Sequence, residues 1–372
     1  MNIFIGLMLI LALLGLSDKI FSGKLGLSPE FDKGLITMGS LALSIIGIYS
    51  MGITLVRAKA SAISAVTSGL PFDPSLIIGS LLAPDLGGYP IALELASNKT
   101  AGIFSAALVA STLGTVISFQ LPVFLSSLHK QEIPRVMFGI ILGVMVLPPT
   151  LFVGGLCLGM PIGPLLLNLL PIIFISLGLS AAFVVSSRKT TAFFLFLGNI
   201  VRILTIASFG AVILGLFIPE LKMVEDVLVM EALVIVVKMS IIIAGAMVLA
   251  KFFLKYCRGF INYMSRKLFI NEYAVIGLFL SLISSVSMLP LFTKMDTRGK
   301  LMNSAFSVSG AYVIGGQMAF MASVADKNVV FVYIITKCLG GVLALLAVRI
   351  FDYSKDMPPH KEAISNLESS LD

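Results

Sequence analysis

The sequence predicts an all-α polytopic membrane protein with about nine transmembrane helices and two re-entrant helical hairpins, arranged as two inverted repeats. Three observations predict this fold. The 372 residues are 58% hydrophobic and 12% charged, and their mean hydropathy is +1.05. Two segments, 72–97 and 272–295, consist of short apolar pieces separated by a break. The basic residues collect on one side of the membrane only if neither of these segments crosses it.

The composition excludes a soluble protein, because so much apolar surface would cause aggregation. We expect essentially no domain outside the membrane. Cys157, Cys257 and Cys338 are far apart and match neither a metal-site spacing nor a disulfide framework. The sequence also lacks zinc-protease, serine-hydrolase and phosphate-loop motifs. We therefore expect no enzyme, no cofactor and no metal, and we attribute the net charge of +7 to cytoplasmic loops rather than to nucleic-acid binding.

Full crossings are predicted wherever an apolar stretch is long enough to span the hydrocarbon core of about 30 Å. The first stretch lacks a basic n-region and a small-residue cleavage site, so it is predicted to be a retained helix. The predicted crossings are 2–20, 34–56, 99–127, 134–158, 164–187, 191–218, 230–254, 301–324 and 328–351.

The segments 72–97 and 272–295 are predicted to be re-entrant hairpins. The first is broken at 84–88 (Pro-Asp-Leu-Gly-Gly) and the second at 284–287 (Ser-Ser-Val-Ser). Each arm has about ten residues, which at about 1.5 Å per residue is too short to span the membrane. The non-helical tips require surrounding protein or a watery cavity.

The distribution of basic residues tests this interpretation. With both hairpins re-entrant, most Lys and Arg residues fall on one face. The opposite face receives only Arg57, Lys59, Lys99, Lys222 and Lys327. If both segments crossed, the split would be nearly even. The positive-inside rule therefore favours hairpins, an external N-terminus and a cytoplasmic C-terminus.

The order of elements then repeats. Residues 1–160 form the first repeat (two crossings, a hairpin, two crossings), and 191–351 form the second with the same order. Because each repeat crosses an even number of times, the single connecting helix 164–187 inverts the second repeat. Residues 352–372 are predicted to be a solvated cytoplasmic tail. Matched broken segments in inverted repeats are typical of the substrate site of a transporter.

The first hairpin supplies most of the candidate binding residues. A carboxylate inside a membrane is expensive and usually functional, so Asp85 is the main candidate, although it could instead cap a half-helix. Gly87 and Gly88 would let the backbone approach a ligand. The ring of Tyr89 could face a cation or simply pack. Glu94 could face the same cavity or pair with a basic residue.

The second half of the chain supplies two amides and one charged loop. Asn303 and Gln317 are predicted to line the cavity, because their amide groups need hydrogen-bond partners inside the membrane. Close helix packing explains the small residues around them equally well. Asp296 and Arg298 belong either to a capped helix start or to the inner lip of the second hairpin. In the second case an ion pair, between the two residues or between the repeats, would lock the lip.

The chain resembles the bacterial ethanolamine permease family. The resemblance is carried by FDKGLITMGSLALSIIG (31–47), LLAPDLGGYPIALELA (81–96) and MDTRGKLMNSAFSVSGAYVIGGQMAF (295–320), and it covers most of the chain. The MDTRGK block is its most specific part. The resemblance implies uptake of ethanolamine across the bacterial cytoplasmic membrane, and it does not itself identify binding residues.

The predicted function is a secondary transporter or facilitator for protonated ethanolamine that works by alternating access. An inside-negative potential contributes about 2.3 kcal/mol per charge per 100 mV, so uniport suffices and coupling to protons or sodium is left open. The alternatives are a permease for another small amine or amino alcohol such as choline, a passive channel, and a non-transporting scaffold or sensor for ethanolamine metabolism. The expected partners are the small amine and the lipid bilayer, and a homo-oligomer is left open.

Overall fold

The computed structural model describes residues 3–59, 62, 69–121, 123–124, 128–129 and 131–351. The predicted tail 352–372 and, before the first predicted hairpin, residues 60–61 and 63–68 lie outside these residues. All regular structure in the described part of the chain is helical, which confirms the all-α class.

The helices are numbered in chain order. They are α1 (Ile3–Ile20), α2 (Ser28–Ala58), α3 (Ser75–Leu81), α4 (Gly88–Leu95), α5 (Lys99–Gln120), α6 (Ile133–Met145), α7 (Leu147–Cys157), α8 (Ile162–Val185), α9 (Ser187–Phe217), α10 (Asp226–Tyr256), α11 (Arg258–Leu268), α12 (Glu272–Ile283), α13 (Leu289–Phe292), α14 (Thr297–Ser309), α15 (Gly316–Val324) and α16 (Lys327–Ile350).

Among the described residues, six helices are long and apolar enough to cross a membrane. They are α2, α5, α8, α10, α16 and the continuous pair of α6 and α7, which counts as one. The other three predicted crossings contain α1, α9 and the pair α14 and α15. The six helices support a multi-pass membrane protein.

Both predicted interruptions are real breaks between helices. α3 and α4 are separated by a 3₁₀ turn, Pro84–Leu86, and by Gly87, whose φ is +85°. α12 and α13 are separated by the 3₁₀ turn Ser285–Met288. Proline follows each break within the first turn of the next helix, where a missing N–H costs no helical hydrogen bond.

Side chains at each base tie the two ends of each broken segment together. Oδ1 of Asp73 accepts hydrogen bonds from the N–H and hydroxyl of Ser75 at the start of α3, and Oδ2 accepts one from the N–H of Ser97 at 3.0 Å. Asn271 caps α12, and its Nδ2 donates to the Lys294 carbonyl at 2.8 Å. The first and last residues of each broken segment therefore lie next to each other.

The predicted crossing 301–324 is divided into two helices, α14 and α15, because the chain unwinds at 310–315. Tyr312 in this stretch has a φ of +66°. The N–H groups of Tyr312 and Ile314 donate to the carbonyls of Ser281 and Leu282, at 3.0 and 2.9 Å. These carbonyls belong to the last turn of α12, where helical partners are missing. The break was not predicted, because its hydrogen-bond partners lie far away in sequence.

α5, predicted as an ordinary crossing, is π-helical over Phe104–Gly114 and Val116–Gln120. It lies very close to the first arm, α3. A Cβ on Gly114 would come within 2.3 Å of the Leu82 carbonyl oxygen, and a Cβ on Gly79 within 2.5 Å of that of Ser105. Glycine at these positions lets the two backbones touch, which fixes the tip of the first broken segment against α5.

Candidate functional site

A cavity of about 290 Å³ lies where the tips of both broken segments meet. The 3₁₀ turn after α3 and the turn after α12 both line it, together with the unwound stretch, the start of α15 and residues from α2, α5 and α10. The lining residues are Leu41, Asp85, Leu86, Phe119, Met239, Ile243, Met247, Ile283, Ser284, Val286, Ser287, Tyr312, Gly316 and Gln317. The walls are mainly apolar, and few side chains present polar atoms.

Asp85 is the one carboxylate among these lining residues. The turn that carries it is fixed by two hydrogen bonds, from the Ala83 N–H to the Ser118 hydroxyl and from the Gly88 N–H to the Ala83 carbonyl, both at 2.9 Å. One carboxylate oxygen, Oδ1, is buried and has no hydrogen-bond partner in the described part of the protein. Such an unpaired acceptor is costly in a buried site unless a ligand supplies a donor.

Gln317, which lines the same cavity, carries a second unpaired acceptor. Its Nε2 donates to the hydroxyl of Thr115 at 2.6 Å. That hydroxyl donates its own hydrogen to the Ala110 carbonyl at 2.8 Å, so it can only accept from Gln317. The amide orientation is thereby fixed, and Oε1 of Gln317 is left buried without a partner in the described structure.

Tyr312 completes the polar part of the cavity. Its hydroxyl is 2.6 Å from the hydroxyl of Ser285, and its ring contacts Phe119 edge to face, with a centroid distance of 6.5 Å. Tyr333 donates its hydroxyl hydrogen to the Tyr312 carbonyl. These contacts hold a non-glycine residue in the left-handed conformation, a strain that is common at functional sites.

The arrangement favours a small ligand that donates hydrogen bonds at two points. Asp85 offers a negative charge and a free acceptor, and Gln317 offers a neutral acceptor. A cationic amine fits the first and a hydroxyl group fits the second. The walls from α10, where Met239, Ile243 and Met247 recur every four residues along one helix face, suit the apolar carbons of such a ligand.

The other candidates of the first segment lie beside or outside the cavity. Gly87 and Gly88 form the turn behind Asp85, and a Cβ on Gly88 would lie 2.5 Å from two carbonyl oxygens. Tyr89 packs edge to face on Phe320 and lines a separate cavity. Glu94 forms an ion pair of 2.7 Å with Arg57. Its hydrogen bond raises the pKa of the Arg57 guanidinium.

Asn303 is buried outside the lining of the main cavity. Its Nδ2 donates to the Ala274 carbonyl at 3.0 Å and to the Gly299 carbonyl at 2.9 Å, which clamps α12 to α14. These bonds give the amide nitrogen a structural role, whereas Oδ1 of Asn303 is buried without a partner in the described structure.

Asp296 and Arg298 lie at the base of the second broken segment. Asp296 caps α14 through the Gly299 N–H and also accepts from the Asn271 N–H, each at 3.2 Å. The Arg298 guanidinium lies over the Phe269 ring, 5.8 Å from its centroid. An ion pair between the two predicted repeats does occur near this base, but it joins Lys300 to Glu132 at 2.6 Å.

Several lining residues were missed by the sequence-based predictions. Met239, Ile243 and Met247 look like any apolar face of a membrane helix, so nothing in the sequence distinguishes them. Tyr312 had a usable signal, because it lies between Gly310 and the pair Gly315 and Gly316, and glycines can interrupt a helix.

Comparison with known proteins agrees with the resemblance noted above. Residues 1–351 match the family model described as "Ethanolamine utilisation protein, EutH". The chain belongs to this family. No solved structure matches the chain.

Three curated relatives of this EutH family chain illustrate the similarity. The "Probable ethanolamine permease EutH" of Listeria monocytogenes is 32% identical over 97% of this chain and 96% of the relative. The protein of the same name from Salmonella typhimurium is 28% identical over 87% and 86%, respectively. The "Uncharacterized protein YxeR" of Bacillus subtilis is 32% identical over 90% of each chain. Family membership and the six apolar helices together identify a multi-pass membrane protein.

Proposed function

We propose that this protein takes up protonated ethanolamine across the bacterial cytoplasmic membrane, as a secondary transporter or facilitator that works by alternating access. The observation that carries the proposal is a pair of unpaired acceptors on Asp85 and Gln317, two residues that line one cavity between two broken helical segments. The names of the curated relatives supply the substrate. The ammonium group binds at Asp85, and the hydroxyl group donates to Oε1 of Gln317.

The proposed membrane topology has nine crossings and two re-entrant hairpins. The crossings are the six apolar helices together with α1, α9 and the broken pair α14 and α15. α3 has 7 residues and α12 has 12, which at about 1.5 Å per residue is well short of the hydrocarbon core of about 30 Å. The hydrogen bonds that join the two ends of each broken segment also favour hairpins.

The two hairpins enter from opposite faces. The N–H of Asp73, at the base of the first hairpin, donates to Asn168 near the start of α8. The base of the second hairpin leads into α14, where Lys300 pairs with Glu132, directly before α6. The bases of the two hairpins therefore lie at opposite ends of the continuous span of α6 and α7. The positive-inside rule makes the second base cytoplasmic, with the N-terminus outside and the C-terminus inside.

The helix contacts support an inverted repeat. In the proposed pairing α1 corresponds to α9, and α2 to α10. Under this pairing, the contact of α1 with α10 is equivalent to the contact of α9 with α2, and both contacts occur. α2 also packs on its own counterpart, α10. Likewise α3 contacts the π-helical part of α5, and α12 contacts α14. A site between such repeats becomes exposed to each side in turn as one repeat rocks against the other.

The proposal is tested with the purified protein in liposomes that carry an inside-negative potential. Saturable uptake of labelled ethanolamine is the expected result. Excess unlabelled ethanolamine should compete strongly and choline weakly, because the quaternary nitrogen of choline has no N–H to donate to Asp85. Equal competition by choline would indicate a broader amine permease.

Two other outcomes would overturn the proposal. Binding of labelled ethanolamine without any accumulation would point to a scaffold or sensor. Uptake that rises linearly with concentration would point to a passive channel.

A further inference from the structure

Lys337 is a buried cation that the proposed function leaves unused. It is fully buried near the middle of α16, a helix of 24 residues. At about 1.5 Å per residue it lies about 15 Å from the nearer end of that helix. Its side chain is too short to reach a membrane surface from there. Charged groups at such a depth are rare and functional, and they face a partner inside the protein.

The surroundings of Lys337 suit a positive charge. Nζ donates to the Ser111 carbonyl at 2.5 Å. It also lies 5.9 Å from the ring centroids of both Tyr312 and Tyr333, within the range of cation–π attraction. No carboxylate of the described residues lies within 4 Å of it. Tyr312 connects it to Asp85, because this tyrosine lines the same cavity as the Asp85 carboxylate while its ring lies against the Lys337 ammonium.

Lys337 does not occupy the substrate space. Tyr312 lines the cavity and Lys337 does not, so the ammonium is held outside the cavity with the tyrosine ring against it. The lysine can therefore stay in place whether or not a substrate amine sits at Asp85.

We propose that Lys337 is a resident countercation for Asp85 that allows the substrate-free protein to complete its transport cycle. This inference rests on the proposed function. With Lys337 present, the empty site has one negative and one positive charge and is neutral overall, whereas the loaded site carries one net positive charge, which the inside-negative potential drives inward. Without it, the empty site is a lone buried carboxylate, which is unfavourable to carry through a closed, dry intermediate. Only the substrate-loaded form, in which the ammonium neutralises Asp85, would then move readily.

The proposal predicts that loss of the Lys337 charge turns a net transporter into an exchanger. Lys337→Met is reconstituted in liposomes and measured in two modes: net uptake into empty liposomes, and exchange of external labelled for internal unlabelled ethanolamine. Net uptake requires the empty return step, whereas exchange does not. We expect net uptake to fall at least about tenfold while exchange stays within about threefold of the unmodified protein. Lys337→Arg, which keeps the charge, should retain both modes.

Lys300→Met is the matched control, because it also removes a buried lysine, one that has its own carboxylate partner in Glu132. It should affect the two modes equally. An equal loss of both modes in Lys337→Met, or unchanged net uptake, would overturn the proposal.

A measurement on the unmodified protein keeps the test decisive if Lys337→Met does not fold. Net uptake should need neither sodium nor a pH gradient and should move one charge per ethanolamine. A second charge per ethanolamine, or an absolute need for another cation, would refute a resident countercation. If the unmodified protein shows neither net uptake nor exchange, the proposed function itself fails.

Discussion

The two broken segments have the same architecture but different chemistry at their tips. Each has two short helical arms, a 3₁₀ turn and a proline in the first turn after the break, and each is tied at its base by a polar side chain. The first tip carries Asp85, whereas the polar residues of the second tip are all serines, among them Ser284 and Ser287 in the cavity lining. A repeated architecture can thus hold an asymmetric site, with the charge supplied by one copy alone.

The tips also differ in how they are supported. The second is joined to the unwound stretch 310–315 by backbone hydrogen bonds from Tyr312 and Ile314. The first is held by a hydroxyl, that of Ser118, and by close backbone contact at Gly114. We infer that the second tip forms one rigid unit with α14 and α15, whereas the first depends on fine packing against α5.

The charge difference gives the largest expected effect. Asp85→Asn keeps the shape of the first tip and removes its charge, so ethanolamine binding should weaken by about 100-fold, or about 3 kcal/mol, the scale of a lost charged hydrogen bond. The measurement is the Kd of labelled ethanolamine for purified protein. Glu94→Gln is the control, because this carboxylate pairs with Arg57 outside the cavity. A similar loss in both variants would mean that the charge at the tip is not specific to binding.

Because the second tip is held against the unwound stretch 310–315, a bulkier residue at this contact should lower the stability of the fold strongly. In Gly315→Ala the new Cβ would lie 1.6 Å from the Ile283 carbonyl oxygen. The unwound stretch would have to move off α12, at a cost of about 1–3 kcal/mol or more. The thermal midpoint in detergent should fall clearly. Gly316→Ala, whose Cβ would lie 3.6 Å from its nearest neighbours, should remain near the unmodified value.

Comparing Gly315→Ala with Gly316→Ala separates a steric effect from a general intolerance of alanine. Equal destabilisation by both substitutions would contradict the assigned packing of the second tip.

Substrate selection should depend on a contact between the two predicted repeats. Thr115→Val removes the acceptor for Nε2 of Gln317, so the amide can rotate and no longer offers its oxygen reliably. The preference for ethanolamine over ethylamine, which lacks the hydroxyl group, should fall by about five- to tenfold, equivalent to about 1 kcal/mol. The measurement is the ratio of the two competition constants. Thr115→Ser should preserve the ratio, and a ratio unchanged in Thr115→Val would remove Gln317 from hydroxyl recognition.

The neutral tip gives the smallest expected effect. Ser284→Ala removes a hydroxyl group from the cavity lining without changing its charge. We expect ethanolamine affinity to change by about twofold or less, since a neutral hydrogen bond contributes about 0.5 kcal/mol at the low end. A loss as large as that of Asp85→Asn would show that the two tips share the binding of the substrate and would remove the asymmetry.

Much of this structure could be predicted from short patterns of neighbouring residues in the sequence. The interruptions at 84–88 and 284–287 could be found because proline, glycine and serine break helices. Asp85 stood out because a carboxylate in an apolar chain demands an explanation. Both features depend on residues that are neighbours in sequence.

The remaining features depend on distant contacts. The unwound stretch after Ser309 exists because carbonyls of α12 accept its N–H groups, and no local pattern encodes that partnership. The positions of Tyr89 and Glu94 depend on the orientation of α4 around its axis, which the packing against α5 and α2 decides. The sequence identifies candidate polar residues. Which side of a short helix faces the cavity depends on how the helices pack in the folded protein.

The backbone bonds between α12 and the unwound stretch have a consequence for biosynthesis. During translation the carbonyls of Ser281 and Leu282 are made about 30 residues before the N–H groups of Tyr312 and Ile314. An unwound backbone cannot face lipid with unpaired N–H groups. In the proposed topology its acceptors are already in the membrane when it emerges, so the stretch need not wait for a later part of the chain. We expect that deleting 272–295 would therefore cause the crossing that follows to be inserted poorly, even though its own sequence is unchanged.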